Sequence, residues 1–207
     1  MTEETTSRGE RTQGQIIQAA HRLFVEHGYH GTSMRQIAAQ AGIALGGIYN
    51  HFASKEDIFL SVLVAWHPFH DVMPALVAAQ GETVEAFVRD AANQMVSRTQ
   101  DRLDFLNLMF IELVEFKGQH LPELVTTYFP NVLIFTQRFL EGKAELRPIP
   151  PAMLVRAFIG LFFSYIMTEI MIANQLPPEM QENALDYFVE IYLHGILADV
   201  RPQEVPG

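Results

Sequence analysis

Between Gly28 and Phe52 the chain reads GYHGTSMRQIAAQAGIALGGIYNHF, and no other stretch restricts the fold so closely. Gly28 stands where a helix ends in a left-handed residue, and Thr32 or Ser33 can cap the next helix, with Ser33 and Gln36 at capping-box spacing. Met34, Ile37 and Ala38 give the segment from Ser33 to Gln40 a single apolar face. Gly42 supplies a sharp turn, after which Ile43, Ile48 and Phe52 anchor a third helix on the same core. Two short helices crossing at a glycine turn form a helix-turn-helix; an ordinary pair of antiparallel helices uses the same spacing.

The rest of the chain is also helical in pattern. Apolar residues recur as in Ile16, Ala20, Leu23 and Phe24, and no segment sustains the alternation of a half-buried strand, so the class is all-α. Breakers at Gly28 and Gly31, Gly42, Pro68 and Pro74, Gly81, Gly118 and Pro122, Gly142 to Pro151, and Pro177 with Pro178 divide it into roughly nine helices. The longest loop is expected at Gly142 to Pro151, and a frayed tail after Asp199. The apolar run Ala157 to Thr168 is too short to cross a bilayer, which takes about 20 residues, and reads as a buried helix. The expected domains are 1–53, a three-helix unit containing the helix-turn-helix, and 54–207, a larger helical bundle, joined by a helix starting at Ser54 or Lys55.

A net charge of −10 argues against a nucleic-acid partner until its distribution is considered. Residues 1–57 hold five basic and six acidic side chains, while 58–207 hold nine and eighteen, so the acidity belongs to the second part. Cysteine is absent, which excludes disulfides and cysteine chemistry. Met1 to Arg11 is polar, without the apolar stretch of a secretion signal, and a cytoplasmic location is expected.

From Gln13 to about Leu63 the chain resembles the N-terminal domain of the TetR family of bacterial regulators, through Ile16 to Gly28, Thr32, Ile37, Ala38, Ala41, Gly42, Gly46, Tyr49, His51, Phe52, Lys55 and Glu56. The resemblance implies that Thr32 or Ser33, at the start of the second helix, meets a phosphate, while Tyr49, His51 and Lys55 grip backbone on the other side. It places base reading on Ala44, Leu45, Gly47 and Asn50, with Gly46 between them and Arg35 as a further candidate. Asn50 suits adenine, and Ala44 or Leu45 a thymine methyl. Leu45 and Gly47 depart from the family's usual polar or cationic residues, which implies modest sequence discrimination and strong salt dependence. Tyr49, Phe52, His51 and Lys55 also fit plain core or surface roles.

One such unit covers half an operator, so a homodimer on a palindromic duplex is expected. Its interface is expected on the last two helices, at Phe158, Phe162, Ala184, Phe188, Ile191 and Gly195, although such a stripe also serves as ordinary core. Trp66, Phe69, Phe105, Met109, Phe135, Phe139 and Tyr165 suit an adaptable pocket for a small, largely apolar effector, and equally a packed core. Glu112 and Glu169 lie in apolar helical surroundings, where an unpaired carboxylate is costly. Either can meet a ligand; otherwise Glu112 pairs with Arg89, Arg98 or Arg156, and Glu169 sits at a solvated rim.

His67, His70 and Asp71, with His120 as a remote partner, are candidate metal ligands, but Pro68 disturbs their helix; a surface turn without metal is expected. No cofactor and no membrane partner is expected. Without a nucleophile motif or phosphate loop the chain does not read as an enzyme. The expected function is a ligand-responsive DNA-binding regulator, acting as a repressor; the competing class is an architectural DNA-binding dimer without a ligand.

Overall fold

A computed structural model describes residues 8–99, 103–141 and 146–197. Among these the architecture is all-α, apart from an isolated antiparallel bridge between Leu146 and Leu197. The helices are α1 (Arg8–His27), α2 (Met34–Gln40), α3 (Leu45–Ile48), α4 (Lys55–Trp66), α5 (Phe69–Ala78), α6 (Val84–Ser97), α7 (Leu103–Glu115), α8 (Leu121–Leu140), α9 (Pro151–Ile172), α10 (Pro178–Gln181) and α11 (Ala184–Ile196), with a 3₁₀ turn at Ala173–Gln175. These outnumber the roughly nine expected because α5 and α10 are separate short pieces. Pro74 lies inside α5 instead of ending it, and Pro130 inside α8.

The chain forms two compact units, Met1–Pro68 with Arg102–Thr126, and Phe69–Asp101 with Thr127–Gly207. They do not coincide with the division expected by function, because α4 and α7 pack on α1 and extend the first unit beyond residue 53.

In the first unit, α1 buries Ile16, Ala19, Ala20, Leu23 and Phe24, the i, i+3, i+4 pattern of one helical face. It ends at Gly28, whose φ of 71° lets its N–H reach the Phe24 carbonyl at 2.9 Å. Helix α4 starts with a reciprocal cap, in which Asp57 N–H donates to Ser54 Oγ and Ser54 N–H to Asp57 Oδ2, each at 3.0 Å. It then lays Phe59 edge-on against Phe24, with centroids 5.6 Å apart. Tyr29 and Phe116 complete this aromatic cluster.

In the second unit, α6, α9 and α11 pack on one another around Phe87, Phe135, Phe139, Phe158, Phe162 and Tyr192. Arg89 on α6 reaches Asp186 and Glu190 on α11, and Arg138 on α8 donates to the carbonyl of Val77. Arg147 N–H donates to the Ile196 carbonyl at 2.8 Å and so fixes the chain ahead of α9. The run expected as a buried helix is instead the middle of the 22-residue α9, which buries one side and exposes Phe163, with Met153, Met171 and Ile172 beyond the run. By length and apolar composition alone, α9 resembles a membrane span. The segment 142–145 of the expected long loop, and the expected frayed tail, lie outside the described residues.

Candidate nucleic-acid interface

Helices α2 and α3 meet at a turn through Gly42, whose φ is 70°. The capping box expected from sequence is present: Gln36 N–H donates to Ser33 Oγ at 3.3 Å and Ser33 N–H to Gln36 Oε1 at 2.8 Å. Ile37 and Ala38 from α2 and Ile48 and Phe52 from the α3 segment are buried together. With the inner side fixed by these anchors, the outer side of the motif carries exposed Arg35, Ala44, Leu45, Gly46, Tyr49 and Asn50, with His51 and Gly47 half-buried. Tyr49 is 54% exposed, a large aromatic side chain held outside the core. A methyl group built on Gly46 or Gly47 would meet nothing within 4 Å, and neither has positive φ, so packing within this chain requires glycine at neither position.

Two residues assigned to phosphate contact are otherwise engaged. Thr32 is 2% exposed, and its hydroxyl donates to the carbonyls of Leu23 at 3.1 Å and Gly28 at 2.9 Å. Lys55 Nζ donates to the carbonyls of Tyr29 and Thr32, both at 2.7 Å, and sits 4.1 Å from the centroid of the Tyr29 ring. Burial lowers the Lys55 pKa. Both side chains therefore clamp the end of α1 to the start of α2 and position the motif from within. Tyr29, missed at the sequence level, is the third member of this clamp, and its place between Gly28 and Gly31 gave no signal of it.

The residues expected to form one effector pocket divide between the units. Trp66, Phe105, Met109 and Glu112 belong to the first, and Phe69, Phe135, Phe139 and Tyr165 to the second. Trp66 stacks on His21 with centroids 4.1 Å apart, and Phe105 packs edge-on against His67. Met109 is half-buried and Glu112 fully buried. The partner of Glu112 is His120 and none of the three arginines, with Nδ1 at 2.7 Å and the backbone N–H at 2.8 Å. Phe69 stands edge-on to Tyr128, while Phe135 and Phe139 are packed core rings. Tyr165 lines a cavity of about 160 Å³ with Val96, Ile166, Glu169 and Ile170. His67 is buried and not on a surface turn, and among the described residues no group of three His, Asp or Glu is placed to hold a metal.

Of the expected dimer residues, Phe158 and Phe162 are fully buried against Tyr192 in the core of their own unit, and are corrected to core. Ile191 is 63% exposed and Gly195 exposed, with Ala184 and Phe188 half-buried on the same side of α11. Tyr187, also exposed there, extends the stripe.

A glycine-turned helix pair with a buried inner face and a polar and aromatic outer face, carried on a helical scaffold, defines a helix-turn-helix DNA-binding protein. Residues 16–62 match the family described as bacterial regulatory proteins, tetR family. The regulator TtgR of Pseudomonas putida is 22% identical over 197 residues, 95% of this chain and 83% of its own. A TetR-family regulator from Mesorhizobium loti shares the fold with a TM-score of 0.67 at 22% identity, over 93% of this chain and 100% of that one. FadR from Bacillus subtilis, solved in complex with stearoyl-CoA, has a TM-score of 0.62 at 21% identity, over 88% and 98%. Residues 16–62 therefore carry a DNA-binding domain of the TetR type, and over nearly its whole length the chain is similar to transcriptional regulators of that family.

Proposed function

We propose that this regulator is a cytoplasmic, dimeric, operator-binding repressor released by a small, largely apolar effector bound in its second unit. The observation that carries the DNA reading is the outer face of α3. Ala44, Leu45, Tyr49 and Asn50 stand exposed above the Ile48 and Phe52 anchors, and Gly46 and Gly47 keep side-chain bulk off that surface without any need inside the chain. Glycines in that position suit close approach of a phosphate backbone. With Lys55 held internally, Arg35 is the exposed cation of the motif, so positioning falls on Arg35, Ser33, Tyr49 and His51, and base reading on Ala44, Leu45, Gly47 and Asn50.

A single motif spans one half-site, so two copies are placed about one helical turn apart by pairing α9 and α11 of each chain. The stripe of exposed Tyr187, Ile191 and Gly195 with half-buried Ala184 and Phe188 supports that interface. Effector binding favours a dimer whose motifs are wrongly spaced for adjacent major grooves. A ~100-fold loss of operator affinity requires about 2.7 kcal/mol of differential binding, well within the range of a small apolar ligand. The complex of FadR with stearoyl-CoA supports an apolar effector class.

Selection of duplexes from a random pool by the purified chain tests the DNA reading. A palindromic motif with half-sites about one turn apart is expected; a folded protein that enriches nothing would overturn it.

A further inference from the structure

Helices α8 and α9 enclose an open groove of about 510 Å³ within the second unit, in the size range of small-molecule sites. Phe129 and Leu133 from α8 and Val155 and Ile159 from α9 form its apolar walls. Arg156 is the sole cation among the 22 residues of α9, lines this groove, and forms no ion pair among the described residues. The other polar side chain of the lining, Thr136, already donates its hydroxyl to the Val132 carbonyl at 2.7 Å. The donors left for a ligand therefore come from one guanidinium beside a hydrocarbon wall, and guanidinium matches a carboxylate in charge and in fork geometry.

We propose that this groove binds a free long-chain carboxylate, with its chain along the α8–α9 walls and its head on Arg156. A second copy of the chain fits the groove poorly. A two-fold interface brings a surface against itself, and among the described residues this lining contains no carboxylate, so Arg156 would be buried without a partner from them. Gly160, at the groove's edge, has open space where a side chain would project, which leaves room for the ligand and for a plug.

The test is calorimetric titration of the full chain, without DNA, by dodecanoate below its micelle-forming concentration, and by dodecyltrimethylammonium as the cationic counterpart. Saturable binding of one dodecanoate per chain is expected, at least tenfold tighter than the cation. Arg156→Gln should weaken dodecanoate at least tenfold and remove the preference for the anion, with partial recovery in Arg156→Lys. Gly160→Leu should abolish binding while thermal unfolding stays unchanged. Equal affinity for the two probes, or undiminished dodecanoate binding in both Arg156→Gln and Gly160→Leu, overturns the site. So does a Gly160→Leu chain that still binds dodecanoate but no longer self-associates, since that places a second copy in the groove. The inference rests on the ligand-responsive reading for its consequence on DNA, but binding is read without DNA, so the failure of one is distinguishable from the failure of the other.

Discussion

The carboxylate of Glu112, with 0% of the residue accessible to solvent, accepts the backbone N–H of His120 at 2.8 Å and lies 2.7 Å from that residue's Nδ1. Its backbone carbonyl accepts the N–H of Phe116 and of Gly118, so one residue of α7 organises the whole turn into α8 through both its main chain and its side chain. The other ring nitrogen of His120 is 3.3 Å from Gln119 Nε2 and 3.4 Å from a carboxylate oxygen of Glu56, in the first turn of α4. A buried carboxylate that looked from sequence like a ligand contact is therefore a structural acceptor.

Glu112→Leu leaves a buried N–H without a partner and should cost about 1–3 kcal/mol in urea unfolding. Glu112→Gln, which keeps an acceptor, should cost less. His120→Phe strands the carboxylate itself and should cost more, about 3–5 kcal/mol. A Glu112→Leu chain as stable as the parent would remove Glu112 from this role.

His21 stacks on Trp66, the chain's single tryptophan, and its Nε2 lies 3.6 Å from Asp104, beyond hydrogen-bond reach. Burial lowers its pKa below the ordinary 6.5; Asp104 opposes this in part and Arg22 adds to it. Between that lowered value and 6.5 the unfolded chain binds more protons than the folded one, so stability should fall as pH drops through this window. Trp66 fluorescence offers a local readout, and its pH dependence there should vanish in His21→Phe. A response unchanged by that substitution would assign it to another group.

Gly47→Ala should separate stability from DNA binding. Alanine favours a helix over glycine by about 1 kcal/mol, and a methyl group at this position meets nothing in the chain. The melting temperature should rise slightly while operator affinity falls, because under the proposed reading the methyl would occupy space taken by DNA. Arg35→Ala should lower affinity for all sequences and reduce the slope of log affinity against log salt by about 1. Fluorescence anisotropy with the selected operator measures both, and unchanged operator affinity in Gly47→Ala would move the contact surface off α3.

Ile191→Arg puts a charge on the exposed stripe of α11 and should convert a dimer to monomer in analytical ultracentrifugation with little change in helicity. Phe158→Arg, at a fully buried position, should unfold the second unit instead. A dimer that survives Ile191→Arg would require a different interface.

The helical class, the Ser33–Gln36 cap, the Gly42 turn and the inner anchors Ile37, Ile48 and Phe52 were all determined by the sequence alone. Each depends on residues within one or two helical turns of each other, so local spacing carries the information. Tertiary structure decided the rest. Phe158 and Ile191 look equally apolar in sequence, and only the packing of α9 and α11 on α6 shows that one is core and the other surface. Lys55 and Tyr29 are 26 residues apart, and nothing in their neighbourhoods marks them as partners until α4 folds against the end of α1. Glu112 found its partner in a histidine across a turn and not in a distant arginine, because satisfying a buried carboxylate depends on which donors the fold brings within about 3 Å.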